Sequence, residues 1–198
     1  MVLQEKPQFV LQLLSYILEI DDEHRFHRIR QMKTHHCNDL IFLFNDLFEK
    51  SENTILIGNG EEPVYLPMDE SSPFHRIVFT RDYFASALHE IAHWCLAGKE
   101  RRTKIDYGYW YYPEGRSAQE QQLFEQAEVR PQALECLFSQ AAGYRFIVSQ
   151  DNFTAAPNYS ASTFEISVVE QAQRFLEEGL PTRAAQFHQC LFDFYKIQ

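Results

Sequence analysis

The run His89-Glu90-Ile91-Ala92-His93 sits within a stretch whose apolar residues recur at helical spacing. Two histidines four residues apart stand one turn above each other on one helical face, so both imidazoles can reach a single metal ion. Tyr83, Phe84, Leu88, Ile91 and Cys95 give that helix an apolar side to bury. The pattern runs from about Asp82 to Ala97, and Gly98 is placed to end it as a C′ residue. A catalytic site then needs a third protein ligand from elsewhere, with positions left open for water, oxygen or substrate.

The third ligand is not a nearby histidine. After His93 the chain continues Trp94-Cys95-Leu96-Ala97-Gly98-Lys99-Glu100-Arg101, without the extended motif of the metzincins. Ser117 and Glu120 form a capping box that opens a later helix. Glu125 and Glu128 lie on similar faces of that helix, so that one can bind while the other supports. Glu114, in a turn, and Glu120, in the cap, suit the role less well. A glutamate on a helix is more often solvated surface, and H-E-x-x-H by itself arises by chance. Glu90 has two readings: general base toward a metal-bound water in a hydrolase, or orientation of a ligand or substrate amine in an oxygenase.

The remaining composition limits the partners. The 198 residues suffice for one domain with its own core. A formal charge of -10, from 28 acidic and 18 basic residues, leaves no surplus to neutralise phosphates, so direct nucleic-acid binding is not expected. No run approaches the roughly 18 apolar residues of a membrane span. Cys37, Cys95, Cys136 and Cys190 are widely spaced and read as reduced thiols of a cytoplasmic protein.

Residues 1–34 stand apart as an N-terminal extension, with the dense charges of Asp21 to Arg28 following one apolar stretch. Met32 offers an alternative start, which would make the upstream residues non-native. The domain proper is placed at 35–198. Its pattern predicts a helix over 38–50 and a hairpin of strands 55–57 and 64–66 around Gly58-Asn59-Gly60. A third strand, 76–79, then leads into the metal-motif helix. Tyr107 to Tyr112 reads as another strand, and Pro131 as a kink or a new helix start before Gly143. Phe146 to Val148 reads as a last strand. Ser162 with Glu165 is a second capping box, and Thr182 caps a final helix through Tyr195. Strands before a central helix, and helices after it, give an α+β class.

Two further groups border the motif. Lys99, Arg101, Arg102 and Lys104 are most simply cations at a helix C-terminus. The aromatic run Tyr107 to Tyr112 is core, or else a pocket wall for the stem and ammonium of a lysine-like substrate, with Asp106 as counter-charge.

At these residues the chain resembles the elongation factor P hydroxylase family. The resemblance is carried by Glu62 to Pro67, Arg76 to Phe79, Tyr83 to Cys95, Ala97 to Lys99, Tyr107 to Tyr111, Phe124 to Val129 and Pro131 to Leu134. Ala142 to Tyr144 and Asp151-Asn152 also fit, so it covers roughly His35 to the C-terminus. It implies a zincin-like single domain with the metal-motif helix packed beside a small mixed sheet. It also implies hydroxylation of the β-lysyl-lysine side chain of bacterial elongation factor P, the last step of that modification. Carried over, His89 and His93 are the metal ligands, Glu128 is the preferred carboxylate and Glu125 the second choice. Two histidines and a carboxylate suit iron(II), with zinc the other candidate. The triad sits on helices, not on the strands of a jelly roll, so no 2-oxoglutarate requirement is inferred.

The residues also carry a zinc metallopeptidase reading, with Glu90 as base, and a non-catalytic interaction module that keeps the fold alone.

Overall fold

The computed structural model describes residues 34–107, 117–149 and 161–197. Helix α1 (Cys37–Glu52) presents Leu40, Phe44 and Phe48 inward at helical spacing and closes on Asn53 in the left-handed region, φ 49°. Strands β1 (Thr54–Gly60), β2 (Val64–Leu66) and β3 (His75–Thr80) follow. Then come α2 (Phe84–Leu96), a 3-10 turn (Arg101–Thr103), α3 (Ala118–Ala142), α4 (Ala161–Glu178) and α5 (Thr182–Ile197). The class is α+β.

The sheet is mixed, in the order β1-β3-β2, with β3 parallel to β1 and antiparallel to β2. The expected hairpin is therefore not formed. Gly58-Asn59-Gly60 belongs to the end of β1, where Asn59 takes φ 65° and the register shifts between Ile57 and Gly60. Backbone N–H groups of Asn59 and Arg81 donate to the carbonyls of Arg81 and Gly60, both at 2.9 Å, and lock this irregularity against β3. A Cβ on Gly60 would lie 2.6 Å from Val78 Cγ1, so this close approach needs glycine. β3 takes the middle, with Ile77 and Phe79 buried.

Leu56, Ile77 and Phe79 of the sheet meet the core formed with α1 and α2, while α3 packs on α2, α4 and α5. Phe44, Phe48 and Trp94 make edge contacts with centroids 4.9–5.0 Å apart. Truncating so enclosed a ring as Phe44 to alanine costs about 3–5 kcal/mol.

Several local expectations differ. Helix α2 starts at Phe84, two residues after Asp82, with no side-chain cap, and closes on Ala97 as C-cap; Gly98 follows at C′ but without a left-handed φ. Ser86 Oγ, inside its first turn, instead accepts from the Thr80 N–H at 3.1 Å. Pro131 does not begin a new helix: α3 is continuous through it, with the proline buried. Residues 146–148 form no strand. The Gln132 side chain takes the place of a partner strand there, donating to the Ser149 carbonyl at 2.7 Å and accepting from its N–H at 3.0 Å. Helix α4 begins at Ala161, which puts Ser162 inside it, and Pro181, not Thr182, precedes the first turn of α5. The capping box at Ser117 forms as expected, with Glu120 reaching back to the Ser117 N–H at 2.8 Å. The expectations for residues 1–33 and for 108–112 lie outside the described residues.

Candidate metal centre

Helices α2 and α3 cross with their polar residues facing. On α2 the i, i+4 spacing stacks the imidazoles of His89 and His93, with Nε2 atoms 3.0 Å apart. From α3, the Glu128 carboxylate sets Oε1 3.2 Å from His93 Nε2 and Oε2 3.5 Å from His89 Nε2. These are the donor atoms of a three-residue cluster that could hold a metal ion.

The spacing suits one. Donors at roughly 2.1 Å from an ion, subtending 90–109°, lie roughly 3.0–3.4 Å from each other. Two imidazole nitrogens and a carboxylate oxygen are also the donor types that zinc and iron accept. Glu128 is buried, and burial opposes its charge, but the hydrogen bond with His93 and the nearby His89 and His93 hold its carboxyl down at about 2.

Glu135, two turns beyond Glu128 on α3, accepts from His89 Nδ1 at 2.8 Å. That contact fixes which nitrogen of His89 faces the cluster, as carboxylates behind metal-bound histidines do. Burial disfavours a charged His89, yet the Glu135 hydrogen bond and the charges of Glu135, Glu128 and Glu90 outweigh it and push its pKa up to about 10.

Glu128, Gln132, Glu135 and Ser139 form one buried polar stripe along α3. The i, i+4, i+7 spacing of Glu128, Gln132 and Glu135 is the sequence signal that places Glu135 on the same face as Glu128. Glu125 lies outside the cluster and accepts from Gln121 Nε2 at 3.0 Å. Glu120 is used in the cap, and Glu114 lies outside the described residues.

The far end of α2 is secured from a distance. Arg183, on α5, donates to the carbonyls of Trp94, Cys95 and Ala97 at 2.9, 3.3 and 2.7 Å, and its guanidinium lies 4.4 Å from the Trp94 ring centroid. The local basic group expected to serve that end does not. Arg102 pairs with Glu52 at 2.7 Å, Arg101 pairs with Asp106, and Lys99 and Lys104 point to solvent. The reason is geometric: the chain turns away after Ala97, and only α5 runs across the exposed carbonyls.

Beside His93 opens a small cleft lined by Tyr65, Ile77, Glu90, Trp94, Ala97, Arg101, Arg102 and Asp106. Its outer wall is tied to the sheet by the Tyr65–Asp106 backbone pair and by Tyr65 Oη donating to the Arg102 carbonyl at 2.9 Å. Burial pushes the Glu90 carboxyl up, against the opposing pull of His89 and His93.

The sequence profile described as "Elongation factor P hydroxylase" matches residues 43–198. The chain belongs to the elongation factor P hydroxylase family. It is 46% identical over 164 residues to a protein of Haemophilus influenzae named "Elongation factor P lysine hydroxylase", which covers 83% of this chain and 92% of that protein. The family match spans α2 and α3, and with them all three donors of the cluster. No helix among the described residues is long and apolar enough to cross a membrane.

Proposed function

We propose that this chain is a metal-dependent hydroxylase of elongation factor P, acting on the β-lysyl-lysine side chain as the last step of its modification. The observation that carries the activity is the 46% identity to the Haemophilus protein along nearly its whole length. The observation that favours a metal is the spacing of 3.0–3.5 Å among His89 Nε2, His93 Nε2 and the Glu128 oxygens.

The assigned roles follow from the cluster. His89, His93 and Glu128 would hold the ion, and three protein donors would leave room for further ligands. Iron(II) is the metal of choice, because when bound it supplies the activation of O₂ needed to oxidise an unactivated C–H bond. Glu135 orients His89, and Arg183 braces the end of the helix that carries both histidines. A zincin-like arrangement of the motif helix beside the sheet fits this reading, with residues 35–198 as the catalytic unit and 1–34 as an extension. The reaction belongs to the cytoplasm, where the factor is found, and needs neither membrane nor direct nucleic-acid contact.

The test is direct. Protein loaded anaerobically with iron(II) is mixed with O₂, a two-electron reductant such as ascorbate and the modified factor, and the product is weighed by mass spectrometry. The lysyl-lysine should gain one oxygen atom. Peptide cleavage by zinc-loaded protein, with no oxygen added by the iron form, would instead establish a metallopeptidase.

A further inference from the structure

We propose that the cleft beside His93 seats an aliphatic ammonium group of the substrate, with the Glu90 carboxylate as its counter-ion. The proposal rests on the hydroxylase reading and adds the contact by which the side chain is held.

Glu90, His93, Trp94 and Ala97 follow one another at i, i+3, i+4 and i+7 along α2, so a single helical face carries both a metal-ligand candidate and this wall of the cleft. Tyr65 and Ile77 from the sheet, together with Trp94 and Ala97, present the hydrocarbon surface that a methylene chain needs.

The charges select the ligand. Arg101 brings its own anion in Asp106, and Arg102 brings Glu52. Each arginine of the cleft thus already faces an anion, with Glu52 shared between Arg102 and Arg183. Glu90 makes no hydrogen bond or ion pair among the described residues, although it lies half-buried in the cleft wall. A carboxylate so placed is stabilised by an incoming cation, and an ammonium with its hydrocarbon stem matches the rest of the lining.

Three residues of helix rise ~4.5 Å from Glu90 to His93. An ammonium at Glu90 therefore leaves the adjoining methylene carbons to pass the ligand end of the cleft. This makes Glu90 a substrate-binding residue, in place of the proton-abstracting role that the motif would give it in a peptidase.

The experiment compares wild type with Glu90→Gln in two measurements. In steady-state hydroxylation of the modified factor by iron-loaded protein, the variant should keep its iron and raise KM roughly 10- to 100-fold with little change in kcat. By NMR titration, pentylammonium should bind wild type more tightly than the neutral pentanol, and Glu90→Gln should erase the difference. A collapse of kcat at unchanged KM, or equal binding of the two probes by wild type, overturns the proposal. If wild type fails to hydroxylate the factor yet prefers pentylammonium through Glu90, the ammonium site stands and the hydroxylase reading falls.

Discussion

Glu135 Oε2 lies 2.8 Å from Nδ1 of His89, on the side of the ring opposite Glu128. The imidazole is thus held at both nitrogens by carboxylates from one helix, α3. Its orientation is set before any ion arrives.

Removing that support should weaken metal binding without deleting a ligand. Glu135→Gln, which keeps shape and loses charge, should lower metal affinity roughly 10- to 100-fold. Competition with a chelator of known affinity measures it. Unchanged affinity would reduce Glu135 to a packing role.

The two candidate carboxylates should separate cleanly. Glu128→Ala should abolish stoichiometric metal, whereas Glu125→Ala should retain it, because Glu125 lies outside the cluster and accepts from Gln121. Metal analysis of the two purified variants decides the matter, and full occupancy in Glu128→Ala would refute the assignment.

Arg183, its side chain largely buried, should matter for stability. Its loss takes a donor from the carbonyls of Trp94, Cys95 and Ala97 and removes the stacking on Trp94. Arg183→Ala should cost roughly 2–3 kcal/mol in urea unfolding. Arg183→Lys should recover only part of that, since a lysine cannot span three carbonyls while lying flat on an indole.

Acid should release the turn between β2 and β3 late. Hydrogen bonds from the Ser71 side chain and backbone, then Arg76, hold the exposed Asp69 carboxyl at about 2, below its ordinary 3.8. A lowered carboxyl contributes stability that is present above the unfolded pKa and is lost as pH falls through the folded one, here between about 4 and about 2. Carboxyl carbon NMR should find the midpoint of Asp69 near 2, moving upward in Ser71→Ala. A midpoint near 4 in wild type would contradict the turn.

Much of the centre was legible because helical periodicity is a local property. His89 and His93 need only the 3.6-residue repeat to share a face, and the same repeat marks Glu128 on α3. What eluded the sequence depends on chain crossings. Gly58-Asn59-Gly60 has the composition of a hairpin turn, yet β3, arriving later in the chain, inserts between β1 and β2. Arg183 has no sequence signal connecting it to Trp94, because only the packing of α5 across α2 brings them together. Gln132 standing in for a strand at Ser149 is equally invisible to pattern, since a side chain there does the work of a backbone.

The placement of the three donors on two separate helices has a mechanical consequence. His89 and His93 belong to α2 and Glu128 to α3, so an ion seated among them acts as a removable cross-link between distant parts of the chain. It closes a long loop in the folded state that the unfolded chain does not share, and its binding energy therefore adds to the free energy of folding. The metal would be a rivet for the two central helices, and a chelator would loosen the protein as well as silence it.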